Sequence, residues 1–154
     1  MINLGISSAR QKAFHQALAS DHQIKITVRL LDLSHKHIAD VSEYLIDGQV
    51  NIDAHAAIKR SATLSLLDPS RGLGLDSENP TDGQAFLDRM VKIVYSVWVQ
   101  DDWVNVPIFV GPINRVERNE DVVEIEAMGK EQIAKYPQGV TKTYRKGLYR
   151  VNVI

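Results

Sequence analysis

The feature that most constrains this chain is the switch, at residue 23, to an apolar repeat of two. Ile24, Ile26, Val28 and Leu30 alternate with Lys25, Thr27, Arg29 and Leu31. Successive side chains of a strand point to opposite faces, so a two-residue repeat marks a strand with one buried face. The repeat returns over about 44–52 and 58–67, with Asp53 to Ala57 as the connection. Pairing these runs as a hairpin sets Ile52 against Ile58, Ile46 against Leu64 and Tyr44 against Leu66. Arg60 then faces Val50 as the exception. A slip of one residue would turn the whole apolar set to solvent.

Two further hairpins follow. Met90 to Val99 and Trp103 to Val110 are both apolar, and a turn at Asp101-Asp102 pairs Val99 with Val104, Val97 with Val106, Tyr95 with Ile108 and Ile93 with Val110. Such cross-strand pairs each contribute ~0.2–1 kcal/mol. Trp98, Val94 and Phe109 fall on the opposite face, so both faces of this hairpin want cover. Pro107 has no N–H for a ladder and predicts an edge or a bulge. Ile113 to Met128 forms the next hairpin across Asn119-Glu120, with Arg118 against Asp121, Val116 against Val123 and Arg115 against Glu124.

Helical spacing occurs at residues 7 to 20, where Ala9, Ala13, Phe14, Ala17 and Leu18 make a small apolar stripe. Ser8-Ala9-Arg10-Gln11 matches a capping box. A second short helix is expected within Gly129 to Tyr136. The fold class read from these patterns is mainly β, a β-rich α+β chain. It is an antiparallel β-barrel or split barrel with a short N-terminal helix. Its parts are a helical segment at 1–22, a barrel at 23–136 and a basic extension at 137–154. A length of 154 residues suits one domain.

Residues 68 to 89 break the pattern, with Asp68-Pro69-Ser70-Arg71-Gly72-Leu73-Gly74-Leu75 and Asn79-Pro80-Thr81-Asp82-Gly83 dense in turn formers. A loop this long inside one domain either folds onto a neighbouring subunit or is an ordinary surface excursion. The last segment carries Lys142, Arg145, Lys146 and Arg150 and no acid, then ends in Val151-Asn152-Val153-Ile154. This end either docks as a strand or leads into a longer product. Its basic run could track phosphates or pair with an acidic assembly partner, and the neutral whole favours the partner.

Composition removes several function classes. The net charge of −1 offers no broad field for nucleic acid or an anionic membrane. With no cysteine, disulfide frameworks, thiolate zinc sites and cysteine nucleophiles are excluded. No secretory start or membrane-length apolar run is present, so a chain made in the cytoplasm and not exported is expected.

Candidate chemistry is sparse. His35-Lys36-His37 places two imidazoles on one face, but a metal site needs more ligands, and Asp32 and Asp40 have no recognised spacing. Glu117, Glu120, Asp121, Glu124 and Glu126 could supply the paired acids of a glycosidase. Glu124 and Glu126, however, alternate with Val123, Ile125 and Ala127 as a solvent face does. The serines lack a nucleophile-elbow pattern. Gly72-Leu73-Gly74 lacks the Gly-Lys ending of a phosphate loop. Trp98 and Trp103 flank a turn and could stack a base or a sugar, though packing or a subunit contact suits them better. The expectation is therefore no catalytic residue, no metal and no cofactor.

The order of features resembles a known family. A short helix leads into a strand ending near Leu31-Asp32. Asp47-Gly48-Gln49-Val50-Asn51-Ile52-Asp53 follows, with its partner Ile58-Lys59-Arg60-Ser61-Ala62-Thr63-Leu64-Ser65-Leu66-Leu67-Asp68-Pro69 and a long loop. Val106-Pro107-Ile108-Phe109-Val110-Gly111-Pro112-Ile113 and Glu124-Ile125-Glu126-Ala127 complete the series. Over most of residues 5 to 136 this is similar to the N-terminal region of minor tail proteins of long-tailed bacteriophages, and through them to the hub barrel of phage baseplates and type VI secretion spikes. The closest local match runs from Asp53 to Asp68, a polar turn, a basic pair, an alternating strand and an Asp-Pro stop.

The resemblance implies a non-enzymatic hub domain in a virion tail, assembled as a homo-oligomer, a trimer by preference, with other tail proteins. Its ring would join the tail tube to the tip around a passage for DNA or a tape-measure protein. Trp98, Trp103, Phe109, Arg71, Leu73, Leu75, Arg145 and Lys146 are the expected interface residues. Two other readings stay open. One is a small β-barrel that binds carbohydrate or single-stranded nucleic acid through Trp98 and Trp103. The other is a tail-associated hydrolase using Glu117 and Glu124.

Overall fold

The computed structural model describes residues 4–56, 58–69 and 89–131. A helix, α1 (Ser8–Leu18), precedes seven strands: β1 (Ile24–Asp32), β2 (His37–Asp40), β3 (Leu45–Ile52), β4 (Arg60–Leu67), β5 (Arg89–Val99), β6 (Asp102–Asn119) and β7 (Val122–Met128). They form one sheet in the order β2-β1-β5-β6-β7-β4-β3. Every pairing is antiparallel. The mainly-β class is therefore as the sequence indicates. The sheet does not close: β2 and β3 are its edges.

β6 makes the fold. Its first half pairs with β5 and its second with β7. The register shifts between Ile93 and Val94 on β5, which leaves Ile108 extra on β6 beside Pro107. Pro107 thus sits at a bulge, as its missing N–H predicts. A second shift lies between Ile113 and Arg115. Bulges bend a strand and raise its twist, so the sheet folds over itself about β6. Gly111 lies between the two shifts, and a Cβ there would stand 1.9 Å from the Met128 carbonyl oxygen. Only glycine fits where the end of β7 passes so close.

The core lies between the two halves of the sheet. Val28, Leu30, Val91, Ile93 and Phe109 from one half meet Ala62, Leu64, Leu66, Val123, Ile125 and Ala127 from the other. A second cluster holds Phe14 of α1 against Val97, Val99 and Val104. The helix cap is Ser7 rather than Ser8: the Ser7 hydroxyl accepts the Arg10 N–H at 3.4 Å. Phe14 is the buried residue of the helix, and Leu18, at the end of the expected stripe, stays 43% exposed.

All three hairpins differ from the sequence reading by two residues. Val97 faces Val104 and Val99 faces Asp102. Val116 faces Ile125, and Ile52 faces Arg60. The turn after β5 is Gln100-Asp101, both with positive φ (51° and 65°), the conformation a two-residue hairpin turn prefers. Glu120, with φ 54°, serves the turn between β6 and β7. In β3 a shift between Leu45 and Asp47 turns Ile46 outward, where it is 55% exposed.

The expected shortage of cover on the Met90–Val110 hairpin is not found. Val91, Ile93, Val97 and Val99 are buried on one face, and Met90, Val94 and Ser96 on the other. Trp98 is the exception at 38% exposure.

Candidate assembly surface

Of the residues expected at an interface, the structure brings Trp98 and Trp103 together and sends Phe109 elsewhere. Trp98 and Trp103 are directly opposed across β5 and β6, with ring centroids 5.2 Å apart at 70°. This edge-to-face packing suits the aromatic quadrupole. It does not present the parallel faces on which successive bases stack. Phe109 is 1% exposed at the fold's centre, so it is a core residue rather than a docking one. The bulge beside Pro107 changes its side. Arg71, Leu73, Leu75, Arg145 and Lys146 lie outside the described residues, as do nearly all of the long loop, the basic extension and most of the second helix expected near 130–136.

Beside the Trp pair, Arg10 of α1 bonds Asp102 of β6 at 2.7 Å. The Arg10 guanidinium, then the Trp103 N–H, hold the Asp102 carboxyl below its ordinary value of 3.8. The helix is thereby tied to the hairpin end that carries the Trp pair.

Exposed aliphatic surface concentrates near the open edges. Ile24 and Ile26 on β1 are 52% and 43% exposed, and Ile52 on β3 is 72% exposed. Ile26, Leu45, Val50, Ile93 and Ile108 line an apolar cleft of about 280 Å³ between β1 and β3. β1 pairs with β2 only over Arg29 to Leu31. The Val28 carbonyl accepts the Val41 N–H, and its own N–H donates to the Ser42 hydroxyl at 2.9 Å. Ser42 also donates to Asp40. Burial alone would raise Asp40, but the two bonds from Ser42, with Arg29 and His37 nearby, hold its carboxyl below 3.8. Among the described residues, nothing pairs with this edge of β1 on the Ile24 side of Val28.

The base of the 68–89 segment is fixed by a pair that the sequence reading missed. Asp68 is 0% exposed, and its carboxylate bonds Arg118 at 2.7 Å. Its N–H donates to the Asp121 carbonyl at 2.7 Å, and its carbonyl accepts from Arg118 at 3.2 Å. The hairpin register expected from the sequence sets Arg118 against Asp121, whereas the observed one sets it against Val123. The available signal was Asp-Pro at a strand's end.

Several of the groups considered for chemistry make contacts within the fold. The Asp32 carboxylate accepts the N–H groups of Ser34 and Lys36 in the turn before β2. His35 Nε2 lies 3.3 Å from Lys130 Nζ. Among the described residues no three His, Asp or Glu side chains gather as a metal site would require. Glu117 and Glu124 are opposed on exposed strand faces. Arg115 bonds Glu117 and stands 3.9 Å from Glu126, offsetting the like charges. Among the described residues no helix is long and apolar enough to cross a membrane.

No family model matches the sequence, and no curated protein matches it. Among solved structures, a chain titled "Virion of native gene transfer agent (GTA) particle" is similar over 93% of this chain and 49% of its own length, at 9% identity and a TM-score of 0.44. The chain thus spans about half of that neighbour, and a likeness of this strength carries no functional weight of its own.

Proposed function

We propose that this chain is a structural subunit of a virion, a non-enzymatic hub domain of a bacteriophage tail tip that works as a homo-oligomer beside other tail proteins. The observation that carries the reading is the bare aliphatic edge. A sheet edge with unpaired backbone and exposed Ile side chains is a template for another chain, and monomeric proteins ordinarily protect such edges with charge, proline or a covering segment. Here Ile24, Ile26 and Ile52 are exposed on the two sides of the split in the sheet. The order of strands and the Asp53–Asp68 match to minor tail proteins support the tail assignment. The nearly balanced charge suits a part that stands among other proteins.

Reconstruction of the virion that carries this chain tests the reading. Density for residues 24–128 at the tail's distal end, repeated about the tail axis, is the expected result. Density in the head, or none in the particle, would overturn it.

A further inference from the structure

Among the described residues, the two edges that border the split are unpaired over matching lengths. On β1, the Gln23 carbonyl accepts the Trp98 N–H. The odd-numbered residues of β1 therefore direct their backbone groups to β5, and the even-numbered ones direct theirs outward. Val28 is already satisfied by Val41 and Ser42, which leaves Ile24 and Ile26 to face outward. On β3, the Asp53 N–H donates to the Lys59 carbonyl at 2.8 Å. Its odd-numbered residues thus serve β4, and Gly48, Val50 and Ile52 direct theirs outward. The Gly48 N–H is occupied by the Asp47 carboxylate at 2.8 Å, which leaves Val50 and Ile52.

We infer that β3 of one copy adds antiparallel to the free half of β1 of a second copy, with Ile26 opposite Val50 and Ile24 opposite Ile52. The inference rests on the homo-oligomeric part of the proposed function and names the surfaces that meet. In this register the outward backbone groups of both strands coincide as two hydrogen-bonded pairs. The pairing stops at Val28 opposite Gly48, where both N–H groups already have partners. The four side chains share the core-facing side of the sheet, and three of them are the exposed Ile24, Ile26 and Ile52. On the other side, Lys25 lies opposite Asn51 and diagonal to Asp53, within reach of its charge. Asp47 and Asp53 are the only charged residues of β3 and its end, and Lys25 is the only charge on the free half of β1. Each copy offers one edge and accepts at the other. This is the head-to-tail contact that closes a ring when the rotation allows it.

The absence of cysteine makes the test direct. Lys25 and Asn51 would form a non-hydrogen-bonded pair, whose short separation accepts a disulfide. Full-length Lys25→Cys and Asn51→Cys chains, mixed and oxidised, should give a reducible covalent dimer, and neither variant alone should. A second variant, Ile24→Lys with Ile52→Lys, should raise the dissociation constant at least about tenfold with unchanged circular dichroism. If the wild type assembles but the mixed cysteines stay unlinked and the lysine variant assembles equally well, this pairing is overturned while assembly stands. A monomeric wild type would remove both.

Discussion

At the residue scale the decisive groups are the few that have no substitute. Arg118 and Asp68 form a pair that is 4% and 0% exposed at the side chain. Removing one partner of such a pair strands a buried charge and costs about 3–5 kcal/mol. Arg118→Met should lower stability by that amount in urea unfolding, and adding Asp68→Leu should recover much of it. Gly111→Ala should destabilise by about 1–3 kcal/mol or more, because the new methyl meets the Met128 backbone rather than a movable side chain. The depressed Asp102 carboxyl sets a pH dependence. A group whose folded pKa lies below its unfolded value adds stability above that ordinary value, and the addition is lost as pH falls through the folded pKa. Asp102→Asn should therefore flatten the loss of stability below about pH 3.8 and leave neutral pH with only the loss of the Arg10 contact. An acid limb identical to the wild type's would refute this.

At the element scale the strands were legible and their registers were not. Alternation at Ile24 to Leu30 and at Val123 to Ala127 identifies which side chains share a face, since a shift of one residue would reverse them. A shift of two leaves that pattern intact, and all three hairpins moved by two. The turns decided them. Gln100 adopts a positive φ that its side chain seldom favours, so residue preference points to Asp101-Asp102 instead. Relieving that conformation with Asn-Gly at 100–101 should stabilise the fold by about 1 kcal/mol, measured by thermal unfolding. No gain would mean that the turn is not the two-residue one. Phe109 lies in the core for a related reason: the bulge at Ile108 changes the strand's phase, and Pro107 signals an edge or a bulge without fixing which residue is the extra one. The Trp98–Trp103 pair was legible because both flank the same turn.

At the scale of the molecule, a strand of 18 residues bends through two bulges and folds one sheet into two facing halves. Among the described residues the core forms within one chain, and the large apolar side chains of the central hairpin are buried or half-buried apart from Trp98. The exposed aliphatic surface therefore lies at the split between β1 and β3, and the proposed assembly places its contact there and not at the hairpin, where the strand pattern alone puts it. The binding-module reading predicts quenching of tryptophan fluorescence by sugars or oligonucleotides. An assembly subunit should show none that saturates. The most direct measurement is the mass of the isolated full-length chain by size-exclusion light scattering over a range of concentrations. A trimer or larger species, dissociating on dilution or when Ile24 and Ile52 are both lysine, is expected. A single copy at every concentration, with Ile24, Ile26 and Ile52 still exposed, would contradict the central claim that these edges are made for another chain.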